Sequence, residues 1–124
     1  MTVQRPIHPL VSADRVNGTH VYNTAGDKLG KIEDVAIDKV SGHVAYAILS
    51  FGGFLGAGER YHPVPWALLT YDIDKGGYVV PMDKASIENA PSFEARELGG
   101  WDDTHSRDSI YGYYSAFGVD PYWP

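Results

Sequence analysis

The chain has 124 residues, no cysteine, ten basic and sixteen acidic residues, and a formal net charge of −6. A single domain of this length buries enough apolar surface to fold without a metal or disulfide staple. The missing cysteines exclude disulfide frameworks, cysteine-held zinc, iron–sulfur clusters and thiol catalysis. The negative balance gives no electrostatic footprint for nucleic acid or anionic lipid.

Fourteen glycines and sixteen aromatic residues (nine Tyr, four Phe, three Trp) favour β structure rich in turns. Residues 1–15 read as a flexible N-terminal arm. They lack the apolar stretch of about 7–15 residues that a secretory signal needs, so a cytoplasmic protein is expected. His20 to Asn23 forms a short strand after the Asn17-Gly18 turn.

Lys31 to Lys39 is the second strand. Val35 and Ile37 share a face by period two, while Ile32 is out of step by one. A β-bulge near Glu33-Asp34 would bring all three to one side. His43 to Phe51 carries apolar residues on both faces, with Val44, Tyr46 and Ile48 one way and Ala45, Ala47, Leu49 and Phe51 the other. Such a strand is central and covered on each side. Val40-Ser41-Gly42 joins the two strands into a hairpin.

The uncharged run Val40 to Gly58 is long enough on paper to span a bilayer. Its glycines, serines and His43 break it into a buried strand and a glycine loop, so no transmembrane segment is expected. Arg60 to Trp66 is strand-like, but Pro63 and Pro65 confine it to a sheet margin. Thr70 to Ile73 and Gly77 to Val80 make a second hairpin. Asp83 to Asn89 is a short helix that Pro91 ends. Short strands at this spacing predict a small barrel or sandwich, all-β with minor helix. The barrel domain is placed at 16–91.

Residues 92–124 form an acidic C-terminal extension holding half of the chain's aromatic residues. A solvated linker would not carry Trp101, Tyr111, Tyr113, Tyr114, Phe117, Tyr122 and Trp123. The extension packs on its own barrel, on a second copy or on another protein.

No catalytic, metal-binding or cofactor-binding set emerges. Gly53, Gly56 and Gly58 do not follow G-x-G-x-x-G, and no Gly-Lys-Ser/Thr comes after them. His8, His20, His43, His62 and His105 show no ligand spacing. Glu33, Asp34 and Asp38 make a solvated acidic face without a pocket to raise a pKa. No G-x-S-x-G elbow is present. The chain reads as a non-enzyme that needs no cofactor.

The run Ser50-Phe51-Gly52-Gly53-Phe54-Leu55-Gly56-Ala57-Gly58-Glu59-Arg60-Tyr61-His62-Pro63-Val64-Pro65-Trp66 resembles the PRC-barrel domain. So does Gly30-Lys31-Ile32-Glu33-Asp34-Val35-Ala36-Ile37-Asp38, followed by Ser41-Gly42. The resemblance extends over about residues 16–90. It implies a six-stranded barrel in which Gly30, Gly53, Gly56, Gly58, Pro65 and Trp66 are structural, with the Trp66 indole plugging an open barrel end. The family includes the cytoplasmic domain of the photosynthetic reaction-centre H subunit and a domain of a ribosome-maturation factor.

This chain is most similar to the short stand-alone bacterial members. The resemblance implies a scaffold that binds macromolecules without performing chemistry. The expected function is a protein-interaction module, homodimeric, meeting protein through Phe54 and Leu55 on the glycine loop and through Tyr113, Tyr114, Tyr122 and Trp123. The rival reading is a barrel for a small apolar or quinone-like ligand.

Overall fold

The computed structural model describes residues 10–51, 60–93 and 104–119. In chain order these form α1 (Ala13–Val16), β1 (His20–Tyr22), β2 (Lys28–Ile37), β3 (Val44–Phe51), β4 (Arg60–Pro65), β5 (Thr70–Asp72), β6 (Gly77–Val79), α2 (Lys84–Glu88) and α3 (Thr104–Tyr114). Single 3-10 turns lie at Trp66–Leu68 and Ser115–Phe117. The strands make one six-stranded sheet in the order β4-β3-β2-β1-β6-β5. The fold is all-β with minor helix, as the residue pattern predicts. Every pairing is antiparallel except β1 with β6.

The β2–β3 hairpin carries the expected bulge. Ile32 pairs with Leu49 and Asp34 with Ile48, so Glu33 is the extra residue. The bulge keeps Ile32 fully buried and Val35 against the core. The same expectation for Ile37 is not met. A second irregularity pairs Ile37 with Val44 and leaves Ala45 over, and Ile37 ends 53% exposed. At the hairpin tip the Asp38 carboxylate accepts from the Ser41 hydroxyl at 2.8 Å and from the Val40 amide at 3.2 Å. These bonds hold its pKa below the usual carboxylate value.

Gly30 lies where three strands crowd. A Cβ there would run into the Ser50 carbonyl oxygen of β3. Gly77 has a similar duty between β6 and β1, since a Cβ would sit 2.5 Å from the His20 carbonyl oxygen. A side chain at either place would push neighbouring backbone apart.

Strand β4 is an edge, and its prolines explain how. Tyr61 exchanges backbone bonds with Phe93, its amide donating at 2.9 Å and its carbonyl accepting at 2.8 Å. Tyr61 therefore turns its polar backbone away from β3. By the two-residue period Pro63 and Pro65 do the same, and neither has an N–H to leave bare. The sheet is not closed into a ring of hydrogen bonds, because β4 and β5 form its two ends.

The chain itself joins those ends through the Trp66–Leu68 turn. Rings reinforce the join: Trp66 meets Tyr78 edge-on at 5.3 Å, and Tyr78 meets Tyr71 at the same distance. Half-buried Trp66 thus packs at the corner between β4 and β5. Burial, with Tyr71 close by, raises the pKa of the Tyr78 phenol.

Two short helices seal the margins. Within the arm assigned to 1–15, residues 13–15 already belong to α1, which packs on β2 and buries Val16. That end of the arm is therefore fastened. Asp83 caps α2 by accepting from the Ser86 amide at 2.8 Å, so the predicted start of that helix holds. No helix among the described residues is long and apolar enough to cross a membrane.

Candidate interaction surface

Strand β3 is buried on both faces. Its inward face, with Ala47 and Leu49, closes against Val21, Ile32, Val64, Leu69 and Val80. These side chains meet so tightly that no room for a water molecule remains among them. A small ligand of the kind expected from the rival reading has no space there.

The outward face presents Tyr46 and Ile48, which pair with Pro65 and Pro63 of β4. All four are nearly inaccessible. Helix α3 lies against β4, and its Tyr111 ring packs on Tyr46 at 5.7 Å between centroids. Ile110, Tyr111 and Tyr114 are buried in this contact, with Val119 after them. Tyr113 donates its hydroxyl to the Ser86 carbonyl of α2 at 2.6 Å. Tyr113, Tyr114 and Phe117 form a ring cluster at 5.2 to 6.2 Å.

The Tyr114 hydroxyl is enclosed and finds no hydrogen-bond partner among the described residues. Burial, with Tyr113 beside it, drives its pKa far above the usual phenol range.

Three successive residues of β4 fasten the stretch that leads toward α3. The Arg60 guanidinium donates to the Ser92 hydroxyl at 2.9 Å and to the Ser92 carbonyl at 3.2 Å. Tyr61 bridges to Phe93 through the backbone. His62, only 2% exposed, reaches the carbonyls of Ala90 and Pro91. Its pKa is lowered, first by burial and then by the Arg60 charge, with the two carbonyls opposing. Ser92 and Phe93, just past residue 91 where the barrel domain is expected to end, are thus fastened to β4.

The expected contact residues separate in this arrangement. Tyr113 is half-buried and Tyr114 fully buried against the chain's own body, so Tyr114 presents no ring to a partner here. Tyr114 and part of Tyr113 thus pack on the chain's own body, one of the three placements that the residues leave open for the extension. Phe54, Leu55, Gly53, Gly56, Gly58, Tyr122 and Trp123 lie outside the described residues. Gly30, Pro65 and Trp66 sit at a strand crossing and at the barrel corner, as structural residues.

Residue patterning did not identify α3. Its signal was the spacing 110, 111, 114 and 117, three to four residues apart along one face. Among the described residues no three His, Asp or Glu side chains converge as metal ligands.

The PRC-barrel domain family model matches residues 9–87. That is more than half of the chain, and the chain belongs to this family. No curated protein matches the sequence.

Proposed function

We propose, taking the PRC barrel as premise, that the chain is a non-enzymatic protein-interaction module that forms a homodimer in the cytoplasm. The observation that supports the reading is the tight closure of Val21, Ile32, Val64, Leu69 and Val80 around Ala47 and Leu49, which leaves no room for a ligand among those side chains and turns attention to the surface. The net charge of −6 directs that surface toward protein rather than nucleic acid. The contact elements that the sequence favours are the Phe54-Leu55 pair and the aromatic residues of the C-terminal extension, Tyr122 and Trp123 among them.

Light scattering of the full chain over a wide concentration range tests this. The expected result is a mass that rises with concentration, and less steeply in Phe54→Asp. A strict monomer that also retains no protein partner in affinity capture would overturn the reading.

A further inference from the structure

The geometry points to the outer face of β3 and β4 as a helix-docking site whose resident, α3, exchanges with the α3 of a second copy. This rests on the reading of the chain as an interaction module, and it names the surface and the occupant. Helix α3 lies wholly outside residues 9–87, the extent of the family domain. The barrel face and its cover are therefore separate pieces joined by residues 94–103. Ten residues reach at most about 36 Å when extended, enough to carry a helix onto a neighbour.

The contact itself is suited to exchange. It is made of rings and prolines: Tyr111 on Tyr46, beside Ile48, Pro63 and Pro65. A directional bond also ties α3 to α2, from Tyr113 to the Ser86 carbonyl. Against these stands the Tyr114 hydroxyl, taken from water without a partner among the described residues. An enclosed donor left unbonded weakens the docked state, so α3 is held less firmly than its rings alone would hold it.

The occupant follows from the fit. A foreign helix would have to reproduce the spacing of Ile110, Tyr111 and Tyr114. The helix of a second copy does so by construction, and exchanging identical segments creates no new complementarity. The tether favours the resident at low protein concentration. The exchanged pair gains as concentration approaches the tether's effective value, of millimolar order for a short link.

The probe is a fluorescent peptide of residues 104–119, added to three full chains: wild type, Tyr111→Asp and Tyr114→Phe. Tyr111→Asp unseats the resident, so it binds peptide about tenfold more tightly than wild type. Tyr114→Phe removes the unbonded hydroxyl, seats the resident better and binds peptide several-fold more weakly. Excess peptide returns concentrated wild-type dimer to monomer. Amide spectra report whether each variant keeps its sheet. If Tyr111→Asp does not fold, the order of wild type and Tyr114→Phe still decides.

No peptide binding, or the reverse order, overturns the proposal. A dimer that persists under saturating peptide also overturns it, while leaving the interaction-module reading in place. A wild-type chain that never dimerises overturns the exchange, and the interaction-module reading falls with it only where the chain also retains no protein partner in affinity capture.

Discussion

The two faces of β3 are buried to the same degree by different means. Ala47 and Leu49 look into a core built from strands of the family domain. Tyr46, on the face it shares with Ile48, packs on a helix supplied by residues beyond it. The inward face holds aliphatic side chains without polar atoms. The outward face meets phenols, one bonded to a carbonyl and one enclosed without a partner among the described residues. Equal burial therefore does not mean equal commitment. The inner contact is the domain, and the outer one is a cover resting on it.

Substitutions on each face sharpen this contrast. Leu49→Ala removes an inner side chain from a tightly closed cluster and should cost about 3 kcal/mol in urea titration, with all probes unfolding together. Tyr111→Ala should cost about 2 kcal/mol or less, because the cover is able to come away alone. Hydrogen exchange should then show α3 amides open while β2 and β3 stay protected. Global loss of protection would break the distinction.

Finer changes act within the cover. Tyr114→Phe should raise stability by about 1 kcal/mol, since it deletes an enclosed hydroxyl that lacks a partner among the described residues. Tyr113→Phe should lower it by about the same amount, through loss of the bond to the Ser86 carbonyl. Opposite signs from the same chemical change, on adjacent residues, are the signature to look for in thermal melts.

The smallest effect is on pH. His62 is held neutral in the fold below its ordinary value of 6.5. As pH falls through that value, the unfolded chain takes up the proton first. Its contribution is complete above about pH 6.5 and is lost as the pH drops further. Denaturation midpoints measured from pH 7.5 to 5 should fall more in wild type than in His62→Gln.

Much of the inner face was legible from the residues. Alternation located β3, the prolines located an edge, and the misfit of Ile32 located the bulge at Glu33. Period two is a backbone property, so it survives in a single sequence. The second irregularity, at Ala45, was not legible, because small and large apolar residues alternate through it without a break. Ile37 consequently went to the wrong side.

Helix α3 was hidden for a different reason. Gly112 and its tyrosines are weak helix formers, and the docking contact stabilises the helix more than its own propensity does. The chemistry of the extension was readable and its conformation was not. The rings announced that the segment packs, but nothing local chose between its own barrel and another.

The two ends of the sheet set a limit on growth. Fibres of folded protein extend when one edge strand accepts the opposite edge of the next molecule, without end. Here the outer side of β4 offers no amide at Pro63 or Pro65, and Phe93 already takes that of Tyr61. Head-to-tail addition of β5 onto β4 is therefore refused at every alternate step. Among the described strands, edge-to-edge joining is left with the three residues of β5 meeting their own copy, a two-fold arrangement that uses up both copies of β5, leaves β4 outermost and stops at two.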